Sequence, residues 1–367
     1  MSEFAFSILI DQKGHKTEIP AAVADNITSF NKYHPEHTHR LYYGDKIREF
    51  LTSNFEPEVV NAYESVIPFA YKADLARYCL LYIYGGIYFD LSIHFQESIP
   101  IERNKVTLFR DLFSATPYDC YNGLMYVPSK HQLLSLSIEN CLKNIKSEYY
   151  GPNALCPTGP ILFGRNVAIA CEPEDLKAGE ALSINKGQPH QAFIFSHPES
   201  NFGIVAARRK RTAGLAELGV TSGNIYWKSW KSRSVYGFDR IRKYDKSFFI
   251  KNNFVTTQCI QGEKIIVPSS HEGLILHGPY LYLEPGNYCV AVKLSITAVS
   301  QRLIFDACNL KSGIIHEEVY DALPNNTALC LFFNVTIHSL DHDYQFRLRG
   351  PVGKELQFEE MYIRKHQ

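Results

Sequence analysis

Residues 68–95 read PFAYKADLARYCLLYIYGGIYFDLSIHF, and this stretch decides how the rest of the chain is read. Residues 70–84 are dense in apolar and aromatic side chains and predict a helix. Gly85 and Gly86 end it, because glycine takes the left-handed conformation of a helix C-terminus without steric cost. Residues 87–93, rich in β-branched and aromatic side chains, predict a short strand. Asp74 and Arg77 stand three apart on the helix and share a face. A carboxylate beside a guanidinium can grip hydroxyls and phosphate oxygens together. Asp90 follows the apolar part of the strand, and the carboxyl end of a strand is where α/β proteins place ligand chemistry. The plain alternative is a surface ion pair and a loop-capping aspartate.

Within this stretch, AYKADLARYCLLYIYGGIYFDLS (residues 70–92) resembles the signature of the DxD-containing sugar transferases of glycosyltransferase family 32. That group includes yeast mannosyltransferases and bacterial capsule and lipopolysaccharide transferases, and the clostridial glucosylating toxins carry a related block. Asp74, Arg77, Gly85, Gly86, Tyr88 and Asp90 fall on the family pattern, while the second Asp of the DxD is Ser92. The resemblance implies an α/β GT-A-type nucleotide-sugar-binding domain and three catalytic residues. Arg77 would contact phosphate and sugar, Asp74 sugar hydroxyls, and Asp90 the ribose and a divalent ion. The expected cofactor is Mn2+ or Mg2+, and a neutral serine hydroxyl is a poorer ligand for such hard ions than a carboxylate. Three arrangements follow: Asp90 with the donor phosphates; Asp90, Ser92 and His94 on one face of an alternating strand; or metal-independent neutralisation by the basic run 208–211.

The 367 residues suffice for two domains, and 45% hydrophobic with 21% charged residues describe an ordinary globular protein. Formal net charge is zero, which argues against a nucleic-acid partner. Nine cysteines without a CxxC pair predict reduced thiols. The opening MSEFAFSILIDQKGH is too polar for a signal peptide, and no apolar run is long enough for a membrane span. A cytoplasmic protein is therefore expected, with contact at the inner face of the membrane left open.

Outward from the central block, residues 4–10 predict a first strand, 21–33 a helix, 40–43 a strand, and 46–55 and 57–66 helices. His34 and His37 read as loop residues. Residues 107–113 predict a strand and 131–150 a helix. By resemblance, Asn122 lies close to the sugar and Thr158-Gly159-Pro160 closes over the donor. Residues 224–236 hold both tryptophans; by resemblance Trp227 or Trp230 covers the donor and Asn224 or Ser229 lies near the metal. Tyr88 completes the expected donor-binding set of Asp74, Arg77, Asp90, Asn122, Thr158, Gly159, Trp227 and Trp230.

From about Phe248 helical periodicity gives way to short alternating strands: 264–267, 273–277, 288–296, 302–307, 328–335, 344–349 and 357–363. Such spacing predicts a β-sandwich. Residues 278–288, GPYLYLEPGNY, resemble a hairpin of carbohydrate-binding-like sandwiches. The expected division is a GT-A-like domain over 1–245 and a carbohydrate-binding-like sandwich over 246–367. The expected function is transfer of a sugar from a UDP- or GDP-linked donor to an oligosaccharide or lipid-linked glycan, with retention, in bacterial surface polysaccharide synthesis. The alternative is a non-catalytic glycan-binding protein on a degenerate transferase domain. A homodimer is left open.

Overall fold

The computed structural model describes all residues except 1–2, 11–17, 112–118, 185–191, 201–202, 209–224, 238–240, 269, 297–301, 322–326, 340, 351–355 and 367. The chain forms two compact units, Met1–Ser222 and Gly223–Gln367.

The first unit is α/β. Its elements are β1 (Glu3–Leu9), α1 (Ala21–Tyr33), β2 (His37–Tyr43), α2 (Gly44–Asn54), α3 (Pro57–Ser65), α4 (Phe69–Tyr84), β3 (Gly86–Phe89), β4 (Ile93–Phe95), β5 (Val106–Asp111), β6 (Leu124–Val127), α5 (Gln132–Lys146), α6 (Pro160–Ala170), β7 (Leu176–Ile184), β8 (Ala192–Ser196) and β9 (Ile204–Arg208). The strands form one sheet in the order β2-β1-β3-β6-β5-β7-β8-β9-β4. β1 pairs in parallel with β2 and β3, and β3 pairs antiparallel with β6. β3 therefore sits between a parallel and an antiparallel neighbour. The order also reverses about β1, with β2 on one side and β3 on the other, and such a reversal opens a crevice at the carboxyl ends of the strands.

The helix of the central block forms as expected. Gly85, at φ +64°, caps α4 and donates its N–H to Leu81 O at 2.7 Å. Gly86, at φ +106°, lies so close to β1 that an added Cβ would meet Phe4 O at 2.1 Å. The second glycine thus brings β3 against β1. α4 is buried from Leu75 through Leu81, and Tyr71 and Asp74 are buried too, because α5, α2 and α3 flank it and β1 and β3 lie beneath.

The predicted strand 87–93 is two strands. β3 stops at Phe89, Asp90 to Ile93 turn with Ile93 N–H donating to Asp90 O at 2.9 Å, and β4 runs on to pair with β9. Long-range contacts fix the break: Asp90 N–H donates to Gly123 O at 2.7 Å, and Asn26 Nδ2 on α1 donates to Leu91 O at 2.8 Å. Strand alternation does not carry through residues 90, 92 and 94, so the shared face expected for them is not formed. Helix α6 and strands β7, β8 and β9 are further elements that the sequence pattern left unassigned.

The second unit contains α7 (Tyr226–Lys231), β10 (Arg242–Asp245), α8 (Lys246–Lys251), β11 (Ile260–Gln261), β12 (Lys264–Val267), β13 (Leu274–Leu276), β14 (Leu281–Leu283), β15 (Gly286–Ile296), β16 (Arg302–Asn309), β17 (Gly313–Asp321), β18 (Thr327–Ile337), β19 (Asp341–Arg349) and β20 (Leu356–Lys365). One sheet runs β11-β12-β20-β15-β18 with β10 added on β20; the other runs β13-β19-β16-β17 with β14 on β19. Alternate residues of both sheets are buried, and Phe305 of one meets Phe333 of the other at 4.6 Å between ring centroids. This is a β-sandwich core. β10 pairs with residues 360–363 of β20, which places residues 223–245 with the sandwich rather than with the first unit, as the expected boundary at 245/246 had them. No cysteine forms a disulfide, and six of the nine are buried. No helix among the described residues is long and apolar enough to cross a membrane.

Candidate active site

Asp74 and Arg77 are not a surface pair. Both are buried, and Arg77 Nη2 lies 3.2 Å from Asp74 Oδ1. An isolated buried charge is costly, so each must be answered by partners. Asp74 has three: Asn122 Nδ2 donates to Oδ1 at 2.9 Å, Thr158 Oγ1 donates to Oδ2 at 2.8 Å, and Arg77 supplies the ion pair. Burial pushes the Asp74 carboxyl upward, against the pull of Arg77, Thr158 and Asn122. Arg77 donates to Asn122 O at 2.6 Å and to Ala73 O at 3.2 Å, and its guanidinium lies 4.4 Å from the Tyr88 ring centroid. Burial opposes the Arg77 charge, but Tyr88, Asp90 and Asp74 more than offset it.

Asp90 stands at the end of β3, where the turn begins. Arg77 Nη1 is 3.5 Å from its Oδ1, Tyr88 donates to the same oxygen at 3.1 Å, and Tyr121 donates to Oδ2 at 3.4 Å. Its side chain is 30% exposed, against 9% for Asp74 and 6% for Arg77. The cluster therefore has a buried base and one open carboxylate. Gly123 explains the fit: a Cβ there would lie 2.3 Å from Asp90 Oδ2. Gly159, the N-cap of α6, brings Thr158 over Asp74, and a Cβ on it would stand 3.4 Å from Asp74 Oδ2.

The fold thus brings together Asp74, Arg77, Tyr88, Asp90, Asn122, Thr158 and Gly159, drawn from α4, β3, the loop before β6 and the start of α6. Ser92 is buried in the turn, and His94 faces α1, with Nε2 3.8 Å from Asp25 Oδ2. Trp227, half exposed, and Trp230 lie on α7 of the second unit. Asn224 and residues 209–211 lie outside the described residues. Arg208 ends β9 opposite Ile93, and its charge reaches Tyr121, pulling against the upward push of burial on that phenol.

Two members escaped the sequence reading. Tyr78 receives a hydrogen bond from Asn122 Nδ2 at 2.8 Å and donates to Thr158 O at 3.0 Å. Its position four after Asp74 on the helix was the available signal. Tyr121 adjoins Asn122 in sequence, but only the fold shows it reaching Asp90.

A divalent ion can be tested against these donors. Asp90 is the carboxylate that is open, and Mg2+ is commonly held by one or two carboxylates together with substrate phosphates. The residues fit an ion shared with a diphosphate, and they do not supply an all-protein cage. His34, Glu36 and His37 also approach within 4.8 Å of one another. There Ile99 N–H donates to His34 Nε2 at 3.3 Å, so in the neutral ring the proton sits on Nδ1, the atom facing Glu36. That nitrogen is a donor, and the trio reads as a structural tie between α1 and β2. A pocket of about 370 Å³ lined by Leu108, Cys120, Gly164 and Glu180 shares no residue with the Asp90 cluster.

Residues 20–115 match the family described as the glycosyltransferase sugar-binding region containing a DXD motif. This segment is similar to a glycosyltransferase sugar-binding region. The matched segment contains Asp74, Arg77, Tyr88 and Asp90, and by the resemblance Ser92 falls on the second DXD position. Among relatives, an uncharacterized glycosyltransferase of Acanthamoeba polyphaga mimivirus is 42% identical over 74 residues, 18% of this chain and 29% of the relative. Inositol phosphoceramide mannosyltransferase 3 of Schizosaccharomyces pombe is 27% identical over 158 residues, 42% of this chain and 43% of the relative. The chain thus spans less than half the length of these relatives. Among solved structures, the PaToxG glycosyltransferase aligns at TM-score 0.36 and 17% identity, covering 46% of this chain and 69% of that one. The C-terminal CBM6 of LamC from Zobellia galactanivorans aligns at TM-score 0.26 and 17% identity, covering 34% of this chain and all of the module.

Proposed function

We propose that the chain is a glycosyltransferase that moves a sugar from a UDP- or GDP-linked donor to a hydroxyl of an oligosaccharide or lipid-linked glycan. The observation that carries this reading is Asp90, an open carboxylate at the carboxyl end of β3, held by Arg77, Tyr88 and Tyr121 inside a sugar-binding region. The barrier to transfer lies in breaking the anomeric C–O bond while negative charge builds on the departing diphosphate. Catalysis then needs positive charge at the phosphates and a sugar held in place.

Asp90 would hold a Mg2+ or Mn2+ ion together with the diphosphate, and that ion would neutralise the leaving group. Arg77 adds a fixed positive charge directly behind Asp90. Asp74, buried and clamped by Asn122 and Thr158, keeps Arg77 in register rather than meeting the sugar hydroxyls expected of it from the resemblance. Buried phenols of Tyr78 and Tyr88 keep water away from this base. Retention of anomeric configuration and a place in surface polysaccharide synthesis extend the same proposal. The test is a donor-hydrolysis screen of UDP- and GDP-sugars in Mn2+, Mg2+ or EDTA. Metal-dependent release of nucleotide diphosphate is expected. Turnover that survives EDTA would overturn the role given to the ion. No turnover with any donor would overturn the transferase reading and leave glycan binding without catalysis.

A further inference from the structure

The second unit presents an aromatic pair on an open sheet face. β15 lies between β18 and β20, and the registers set Ala291 opposite Phe332 on one side and opposite Tyr362 on the other. Residues opposite one another across strands point to the same side of a sheet. The adjoining rows, Leu331–Val292–Met361 and Phe333–Val290–Ile363, are buried in the sandwich core. The row Phe332–Ala291–Tyr362 therefore faces outward. Phe332 is 62% exposed. Two strand spacings put the two ring positions about 10 Å apart, with the small Ala291 forming a saddle between them. Tyr362 donates its hydroxyl to Glu360, which steadies that ring.

The outward rows on either side are polar. One sets Lys293 opposite Glu360, and the other sets Asn334 and Arg364 on either side of Cys289. Both signs of charge, including Lys243 of β10 opposite Tyr362 and paired with Glu360, stand close together on the face. It offers donors and acceptors at fixed spacing, which suits hydroxyl groups.

We infer that this face binds a neutral, extended β-1,4-linked glycan laid across the strands, with alternate sugars on Phe332 and Tyr362. An equatorially linked pyranose shows a flat face of axial C–H groups, and an aromatic ring meets it with its electron-rich face. Two sugars of an extended chain advance by about the spacing of the two rings. The sugar between them lies over Ala291, and hydroxyls along both edges reach the polar rows. An α-1,4-linked chain coils and cannot keep its faces in line with the row. The inference rests on register and exposure in the second unit alone and stands whether or not the first unit transfers sugar.

The test is calorimetric titration of the full chain with cellohexaose, β-1,4-mannohexaose and xylohexaose, with maltohexaose as the α-linked comparison. At least one β-linked hexasaccharide is expected to bind, and maltohexaose is not. Phe332→Ala and Tyr362→Ala should each weaken binding about tenfold or more, the size of losing one stacked ring. Phe332→Trp should keep it. Both ring positions lie on the open face, so the unfolding midpoints of the variants should match wild type. Binding of none of the three β-linked chains, equal binding of maltohexaose, or wild-type affinity in both alanine variants would overturn the inference.

Discussion

In the proposed reaction Asp90 acts through the residues that aim it, and these can be tested one at a time. Gly123→Ala puts a methyl 2.3 Å from where Asp90 Oδ2 now lies, so the carboxylate must swing away from Tyr121. Donor turnover should fall about tenfold or more, as a misplaced catalytic group demands, while thermal unfolding monitored by circular dichroism shifts by only a few degrees. Asp74→Ala is different in kind. It strips a buried guanidinium of its nearest carboxylate, leaves Thr158 without its acceptor and leaves Asn122 with Tyr78 alone. Urea unfolding should show a loss of about 3 kcal/mol or more, the usual cost of breaking a buried ion pair. Asp74, Arg77 and Asp90 were legible in the sequence because helix spacing and strand ends are local properties, while Asn122 was read from the family resemblance. Tyr121 and Gly123 were visible only as neighbours of Asn122, because what they do depends on contacts with residues more than thirty positions away. The helix placed Asp74 and Arg77 together, but the sequence could not show that α5 and the start of α6 would bury them.

At the scale of elements, the glycine pair between α4 and β3 is a joint with two separate jobs. Gly85 ends the helix, and Gly86 admits β1. In Gly86→Ala the left-handed φ of +106° and a Cβ 2.1 Å from Phe4 O both work against the fold. Backbone strain alone costs about 1–3 kcal/mol, and the clash adds to it. The expected result is a drop of about 3 kcal/mol or more in chemical denaturation, or failure to accumulate folded protein. The α1–β2 corner makes a pH prediction. Burial pushes His34 down to about 4, with His37 adding to the effect, and burial pushes His39 to about 4 as well. The unfolded chain takes up protons near the ordinary histidine value of 6.5, while the folded chain does not until about 4. Stability should therefore be level above about pH 6.5 and fall as pH drops from there toward about 4, by a few kcal/mol in all, ~1.4 per unit of pH per histidine. Unfolding midpoints measured from pH 7.5 down to 4.5 check the direction, and His39→Leu should flatten the slope. Helix α4 and its glycines could be read because periodicity and chain reversal are written locally. The break after Phe89 could not, because residues 87–95 hold no glycine or proline and alternate polar with apolar from Phe89 on as a continuous strand would, and the break is made by Asn26, Gly123 and β9.

For the molecule as a whole, two folds of different kinds share one chain, an α/β sheet with the Asp90 cluster and a β-sandwich with its own core. The change from helical to alternating pattern near residue 248 was plain in the sequence. The start of the second unit was not, because β10 joins it by pairing with the chain's last strand, a register that no local pattern announces. Edge strand β17, GIIHEEVYD, was likewise missed, since it is exposed along most of its length and lacks a buried alternation. With Ser92 at the second DXD position by resemblance, the proposed reaction leaves Asp90 as the one DXD carboxylate for the donor phosphates. The most direct measurement is kcat for nucleotide-diphosphate release by wild type and Asp90→Asn, with the best donor from the screen and saturating Mn2+. The account predicts a fall of about a hundredfold or more, with the unfolding midpoint unchanged. Turnover within about twofold of wild type would contradict it and move the chemistry away from the end of β3.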